Sequence, residues 1–243
     1  MNAVACPRTV IVTGASDGLG RAFAEICVNN GVRVVNISRT PAPPKQIENI
    51  ACDLSDPDQI IHACEQIKTK YPVFDAIVNC AGVISLQDPA KITYDELEKT
   101  FRVNTLAPVF LVSQLFDLIK RNGADILNVG STVAYKAYPN QSAYGASKWA
   151  LRGAGENMRT ELQKSNCRVI SFNCGGMYTN FFAKYKAGGR KGTLAFDGDP
   201  LEWLLPADVA RVMFDVLNYP KQLEVSEIVI NRHGKRTGAT RGE

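Results

Sequence analysis

Thr9-Val10-Ile11-Val12, running straight into Thr13-Gly14-Ala15-Ser16-Asp17-Gly18-Leu19-Gly20, decides how this chain folds. Four successive β-branched residues, three of them apolar, fit a strand buried on both faces in the middle of a parallel sheet. The turn that follows carries three glycines, so its backbone can approach a ligand closely. It opens a helix whose free N–H groups and positive dipole end suit a phosphate. In outline this is a dinucleotide-binding turn. Its G-x-x-x-G-x-G spacing differs from the commoner G-x-G-x-x-G, and a glycine turn this short serves purely structural ends as readily.

Working outward, the same strand and helix alternation continues. The first helix runs to about Asn30 and stops at Gly31, and Val32 to Ile37 forms a second strand that ends at Ser38-Arg39. In a dinucleotide fold an acidic residue here holds a ribose 2′-hydroxyl, whereas an arginine neutralises a 2′-phosphate. Arg39 therefore favours NADP(H) over NAD(H), the alternative being a solvated loop arginine. Ile47 to Cys52 makes a third strand leading to Asp53-Leu54, and Ser55-Asp56-Pro57 opens the next helix with a capping side chain and a proline in the first turn. Phe74 to Val78 is a fourth strand, followed by Asn79-Cys80-Ala81-Gly82. Thr93 and Glu96 form a capping box at the head of a long helical pattern that ends near Asn122-Gly123. Pro108 cannot donate to the carbonyl of Asn104, so a kink is expected there. Ala124 to Val129 delivers Gly130-Ser131 at the carboxyl end of a fifth strand, the sheet edge where ligands bind in open α/β folds. Arg168 to Phe172, closed by Asn173-Cys174-Gly175-Gly176, is a sixth strand. Pro206 opens the last helix and Ile228 to Ile230 is a seventh strand.

The chemistry centres on Tyr144-Gly145-Ala146-Ser147-Lys148, which Ser142 is placed to cap as a helix. Tyr144 and Lys148 then share a face. An ammonium about 4 Å from a phenol at an effective dielectric of ~20 is worth roughly 4 kcal/mol, or about three pK units, before desolvation opposes it. Such a tyrosine exchanges protons near neutral pH. An amphipathic helix carrying Tyr and Lys at that spacing by chance is the plain alternative. Gly145, Gly153 and Gly155 each weaken the helix by about 1 kcal/mol, which points to close packing against a cofactor or a neighbouring helix.

The composition is that of a soluble globular chain: 243 residues, 45% hydrophobic, with a formal net charge of +4. The charge is mixed along the chain and makes no case for nucleic acid or a membrane surface. Seven cysteines without a C-x-x-C pair, and only two histidines, argue against a metal site and for buried thiols in a reducing compartment. No apolar run approaches ~20 residues, so a cytoplasmic protein without a membrane span is expected. One domain over residues 1–234 is expected, with an aromatic- and lysine-bearing lid over about 179–205 and a disordered tail over 235–243.

With these motifs in hand, the chain resembles the short-chain dehydrogenase/reductase family. The likeness covers Val10 to about Asn231 and rests on the T-G-x-x-x-G-x-G turn, the Tyr-x-x-x-Lys pair, a serine thirteen residues before the tyrosine and an asparagine forty before it. The resemblance implies a Rossmann-type, doubly wound α/β fold whose seven parallel strands run 3-2-1-4-5-6-7. It implies Asn104, Ser131, Tyr144 and Lys148 as catalytic residues. Thr13, Gly14, Ser16, Asp17, Gly18, Leu19 and Gly20 would surround the pyrophosphate, Ser38 and Arg39 the adenosine ribose, and Asp53 and Leu54 the adenine. Asn79, Ala81 and Gly82 would hold the fourth strand against the cofactor, with Gly175 and Thr179 near the nicotinamide. It further implies NADP(H)-linked hydride transfer to a small-molecule carbonyl, or from an alcohol, in a homodimer or homotetramer. The lid aromatics favour an apolar ketone or aldehyde. Lys184, Lys186, Arg190 and Lys191 would instead suit the phosphates of a 3-oxoacyl thioester, and a dinucleotide sensor without turnover is the alternative of another class. Cys80 and Cys174 depart from the family's usual Asn and Pro.

Overall fold

The computed structural model describes residues 9–181 and 203–233. Seven parallel strands form one sheet: β1 (Thr9–Thr13), β2 (Arg33–Ser38), β3 (Glu48–Ala51), β4 (Ala76–Asn79), β5 (Asp125–Ser131), β6 (Val169–Cys174) and β7 (Glu227–Ile230). Their spatial order is β3-β2-β1-β4-β5-β6-β7, as the family resemblance implies. The order reverses beside β1, which pairs with β2 on one side and β4 on the other. That switch point opens a crevice above the carboxyl ends of the strands.

Among the described residues, seven α-helices pack on the two faces: α1 (Gly18–Asn29), α2 (Pro57–Lys70), α3 (Tyr94–Phe101), α4 (Ala107–Gln114), α5 (Phe116–Asn122), α6 (Ser142–Leu162) and α7 (Pro206–Leu217). The apolar run in β1 reflects burial on both faces. Val10 and Val12 pack with Phe23 of α1 and Met213 of α7, while Ile11 packs with Ile67 of α2, Leu111 of α4 and Ile119 of α5. Each such aliphatic side chain contributes about 1.5–3 kcal/mol relative to exposure.

The helix starts follow their caps in two cases. Asp56 accepts from the N–H groups of Asp58 and Gln59, and Thr93 accepts from that of Glu96. The Glu96 carboxylate turns inward, where it accepts from Ser85 and Gln87. Ser142 differs from expectation: it is the first helical residue, and Gln141 before it makes no side-chain cap bond.

The expected single long helix from Tyr94 to Asn122 is divided. A π-helical segment, Arg102–Leu106, carries Asn104 where Pro108 withholds its donor, so the expected kink takes the form of a widened turn. A second break at Leu115, with a 65° bend between the flanking helices, has neither Pro nor Gly to announce it. Among the described residues no single helix is long and apolar enough to cross a membrane, although this bent pair meets that test on length and composition. Most of the expected lid and the tail lie outside the described residues.

Candidate active site

The glycine turn is closed by contacts that only glycine permits. Gly14 has a φ of 77°, and a Cβ there would lie 2.9 Å from the Ala81 Cα. A Cβ on Gly20 would lie 2.4 Å from the Gly14 carbonyl oxygen. The turn after β1 is thereby pressed against the turn after β4. Thr13 works in the same junction: its Oγ1 accepts from the N–H groups of Cys80 and Ala81, both at 3.0 Å. Thr13 thus joins two loops, and its hydroxyl is not turned toward a pyrophosphate as expected. Asp17 caps α1 through the Gly18 N–H at 2.8 Å, and Ser16 and Gly18 are half-buried beside it. Leu19, the second residue of α1, buries its side chain in the core and leaves its backbone to the turn.

At the end of β2, Ser38 donates to the Thr40 carbonyl at 2.5 Å and accepts from Asn36 at 2.9 Å, so its hydroxyl is committed locally. Arg39 is exposed, with its guanidinium 3.9 Å from the Asp53 carboxylate. Burial works to raise the Asp53 pKa, but hydrogen bonds from Ser55 and the charges of Arg39 and Lys99 prevail and hold it below the usual range. Leu54 is buried with Ile60 and Ile67 in the core under α2 instead of facing outward toward an adenine. Asn79 also turns inward, donating to Asn128 of β5 at 2.8 Å, so it knits strands together instead of meeting a ligand.

The four expected catalytic residues converge. Asn104 is fully buried, and Ser131, Tyr144 and Lys148 are each less than a tenth exposed. Ser131 ends β5 and accepts from the Val133 N–H at 3.3 Å, and its hydroxyl lies close enough to the Tyr144 phenol to pull that pKa down. The Asn104 amide exchanges hydrogen bonds with the Val83 backbone, 2.8 Å in each direction, and donates to Ser147 Oγ at 3.0 Å. Ser147 in turn donates to the Tyr144 carbonyl at 2.7 Å. Ser147 was missed in the sequence; its place one turn after Tyr144 on the buried face is the available signal.

The expectation that Lys148 would hold the Tyr144 pKa down is corrected. Burial pushes the Tyr144 phenol above its ordinary value, and the nearby Ser131 hydroxyl is what opposes that rise. Burial also lowers Lys148, to about 8, while its Nζ donates to the Val129 carbonyl at 2.8 Å. Desolvation penalises phenolate and ammonium alike, and it is the largest cause of both shifts. Cys80 and Cys174 lie close enough to Lys148 to feel its charge, yet burial raises both thiols, to about 12 and about 11.

Gly82 borders these groups: a Cβ on it would meet Asn104 Oδ1 at 3.4 Å, Lys148 Nζ at 3.8 Å and the Phe181 ring at 3.9 Å. Thr179 stands across from Gly18, where a Cβ would meet its methyl at 3.4 Å. Gly175 is held by its N–H to the Ile230 carbonyl at 2.9 Å. Phe181 was named in the sequence only as a lid aromatic. Its ring centroid lies 6.2 Å from that of Tyr144, and with Ile84, Leu86 and Val133 it builds an apolar wall around the phenol.

Gly155 alone of the three α6 glycines packs within the chain, against Ser171 and Asn128; Gly145 and Gly153 have nothing within 4 Å.

The family model for short chain dehydrogenases matches residues 8–189. A short chain dehydrogenase of Aspergillus calidoustus is 33% identical over 176 residues, covering 67% of each chain. Sepiapterin reductase of Chlorobaculum tepidum is 27% identical over 240 residues, 91% of this chain and 94% of that one. The solved alcohol dehydrogenase of the archaeon Thermococcus sibiricus, complexed with 5-hydroxy-NADP, superposes with a TM-score of 0.80 at 22% identity, over 92% of this chain and 95% of that one. Fold, motif order and family model agree, and the chain belongs to the short chain dehydrogenase family of oxidoreductases.

Proposed function

We propose that the protein is an NADP(H)-dependent reductase of apolar ketones or aldehydes. The observation that carries this reading is the buried Tyr144 phenol, with the Ser131 hydroxyl near it, set inside the wall of Ile84, Leu86, Val133 and Phe181. The backbone of Gly14 to Gly20 would hold the pyrophosphate, Arg39 a 2′-phosphate, and Lys148 the nicotinamide ribose. When bound, the nicotinamide supplies the hydride.

The remaining steps belong to the chain's own groups. Ser131 donates a hydrogen bond to the substrate oxygen as negative charge grows there. Tyr144, whose raised pKa keeps it protonated at neutral pH, passes its proton to that oxygen. Lys148 lies one helical turn away to stabilise the resulting phenolate, and the buried Asn104–Ser147 contact holds α6 against the π segment. A phenol that stays protonated suits reduction better than oxidation. Arg39 supports the same direction, since cells generally keep NADP(H) reduced.

The test follows NADPH absorbance with acetophenone, α-tetralone, benzaldehyde and a 3-oxoacyl thioester. Reduction of the aromatic carbonyls, lost in Tyr144→Phe, supports the reading. Tight NADPH binding with no oxidation across the panel would leave a dinucleotide sensor instead, and turnover of the thioester alone would move the substrate class.

A homo-oligomer built on α4 and α6 is part of this proposal. Trp149 is 52% exposed between the open Gly145 and Gly153, and Leu106 is 56% exposed. A partner helix could approach closely along that stripe. Light scattering checks it, with Trp149→Arg expected to yield monomers.

A further inference from the structure

We propose that Tyr135 is a positioning residue for Ser131, holding the serine segment in register with α6 through a chain of contacts that runs from Asn173 through Tyr135 to Glu227 and Arg152. The inference rests on the proposed role of Ser131 beside Tyr144.

Ser131 begins a single 3₁₀ turn, Thr132–Ala134, which closes when the Tyr135 N–H reaches the Thr132 carbonyl at 3.1 Å. Asn173 of β6 grips this segment at both ends. It is the register partner of Gly130, and a Cβ on Gly130 would lie 1.9 Å from Asn173 Oδ1, so its amide occupies the place of a side chain at that residue. From there its Nδ2 donates to the Tyr135 hydroxyl at 2.9 Å. Asn173 is 1% exposed, which fixes the amide in one pose.

The contacts then cross to the helix that carries the chemistry. The Tyr135 hydroxyl lies close enough to the Glu227 carboxylate, at the start of β7, for each to shift the other's pKa. Glu227 binds Arg152 in a two-point pair, at 2.8 Å through Nε and 3.4 Å through Nη2. The Arg152 guanidinium also lies over the Tyr135 ring, 4.5 Å from its centroid. A fork-to-carboxylate pair with a stacked ring is a rigid arrangement. Arg152 follows Lys148 by four residues and Tyr144 by eight, so it continues their face of α6. The serine and the tyrosine are thus related twice, once by lying side by side and once around the back through Asn173, Tyr135, Glu227 and Arg152. The second path matters because a misplacement of about 1 Å in a reacting group can cost on the order of 100-fold in rate.

The test is Tyr135→Phe, which keeps the ring under Arg152 and removes the hydroxyl. Amide exchange of Val133, whose N–H donates to Ser131 Oγ, is expected to quicken about 10-fold. With NADPH and the fastest of acetophenone, α-tetralone and benzaldehyde, kcat is expected to fall about 10- to 100-fold while the KM for NADPH stays within about 2-fold. In a Ser131→Ala background the same substitution is expected to cost nothing further, because Tyr135 acts through the serine. Glu227→Gln breaks the chain from the β7 side and repeats the test should Tyr135→Phe fold poorly. An unchanged kcat, an equal loss with and without Ser131, or a lowered Tm with Val133 exchange and kcat both preserved overturns the proposal. Should none of the three carbonyls be reduced, the proposed function has failed and the Val133 exchange alone decides the positioning. Should Tyr144→Phe abolish turnover while Tyr135→Phe leaves it intact, only the positioning role is lost.

Discussion

The two edges of the sheet bury polar groups in opposite ways. At the amino edge Asp125, 2% exposed, accepts from the Arg168 backbone at 3.0 Å, from its guanidinium at 3.1 and 2.6 Å, and from Lys221 at 2.6 Å. The guanidinium spends its other donors on the carbonyls of Leu217 and Tyr219. At the carboxyl edge, Lys148 has one hydrogen bond among the described residues, to Val129, and the buried amide oxygens of Asn79 and Asn173 accept none. The first edge spends its polar groups on joining β5, β6 and the chain after α7. The second leaves its protonation states displaced, Tyr144 upward and Lys148 downward. Under-paired burial is tolerable where a ligand and a substrate are to be met, and it is there that pKa values are shifted for work.

Substitutions at the two edges are therefore expected to separate activity from stability. Tyr144→Phe is the largest effect on the chemistry: kcat/KM for carbonyl reduction is expected to drop about 10³-fold or more, with little change in Tm. Asp125→Ala is its mirror. It leaves Arg168 buried without its partner, so urea unfolding is expected to show a loss of about 3–5 kcal/mol, while kcat per folded molecule holds. A catalytic loss from Asp125→Ala without a stability loss would collapse the distinction.

Between these extremes lies the cofactor's far end. Arg39→Asp is expected to weaken NADPH about 10- to 100-fold, the worth of one or two charge-assisted hydrogen bonds, and NADH far less. Equal losses, measured by fluorescence titration, would remove the 2′-phosphate assignment and shift the proposed preference.

The comparison also explains what could be read in the residues beforehand. The strands and the glycine turn were legible because each depends on local pattern, whereas the strand order and the grouping of Asn104, Ser131, Tyr144 and Lys148 came from the resemblance to a family, which those motifs and their offsets along the chain carry. The kink at Asn104 was legible because Pro108 lacks a donor that a helix needs. The break at Leu115 was not, since it lies among ordinary helix formers. The side-chain partners of Thr13, Ser38 and Asn79 and the inward packing of Leu54 were not legible, because hydroxyl and amide orientation is decided by neighbours on other strands and loops. Tyr135 and Asn173 lie 38 residues apart, and no spacing rule joins them. The Tyr144 pKa was misjudged in sign because charge separation can be guessed from helical spacing, whereas depth of burial cannot.

That misjudgement gives the finest test of how the carboxyl edge differs. Burial lowers Lys148 from 10.5 in the unfolded chain to about 8 in the folded one. Between those two values the unfolded chain binds more protons, so this group makes the fold more stable as pH rises through the window; below about pH 8 its penalty is constant. The buried thiols act in the other sense. Cys80 and Cys174 are raised from 9.0 to about 12 and about 11, so folding keeps their protons and loses stability as the unfolded thiols ionise. A single pH profile mixes the two. Lys148→Met removes the lysine and raises both thiols further, but these stay protonated in the fold between pH 8 and pH 9 with or without it, so the variant's stability relative to the parent is expected to decline by about 1 kcal/mol from pH 8 to pH 9. Paired urea titrations at the two pH values measure it. A difference that stays flat would mean the amine titrates at its ordinary value, and the carboxyl edge would then satisfy its charges as fully as the amino edge does.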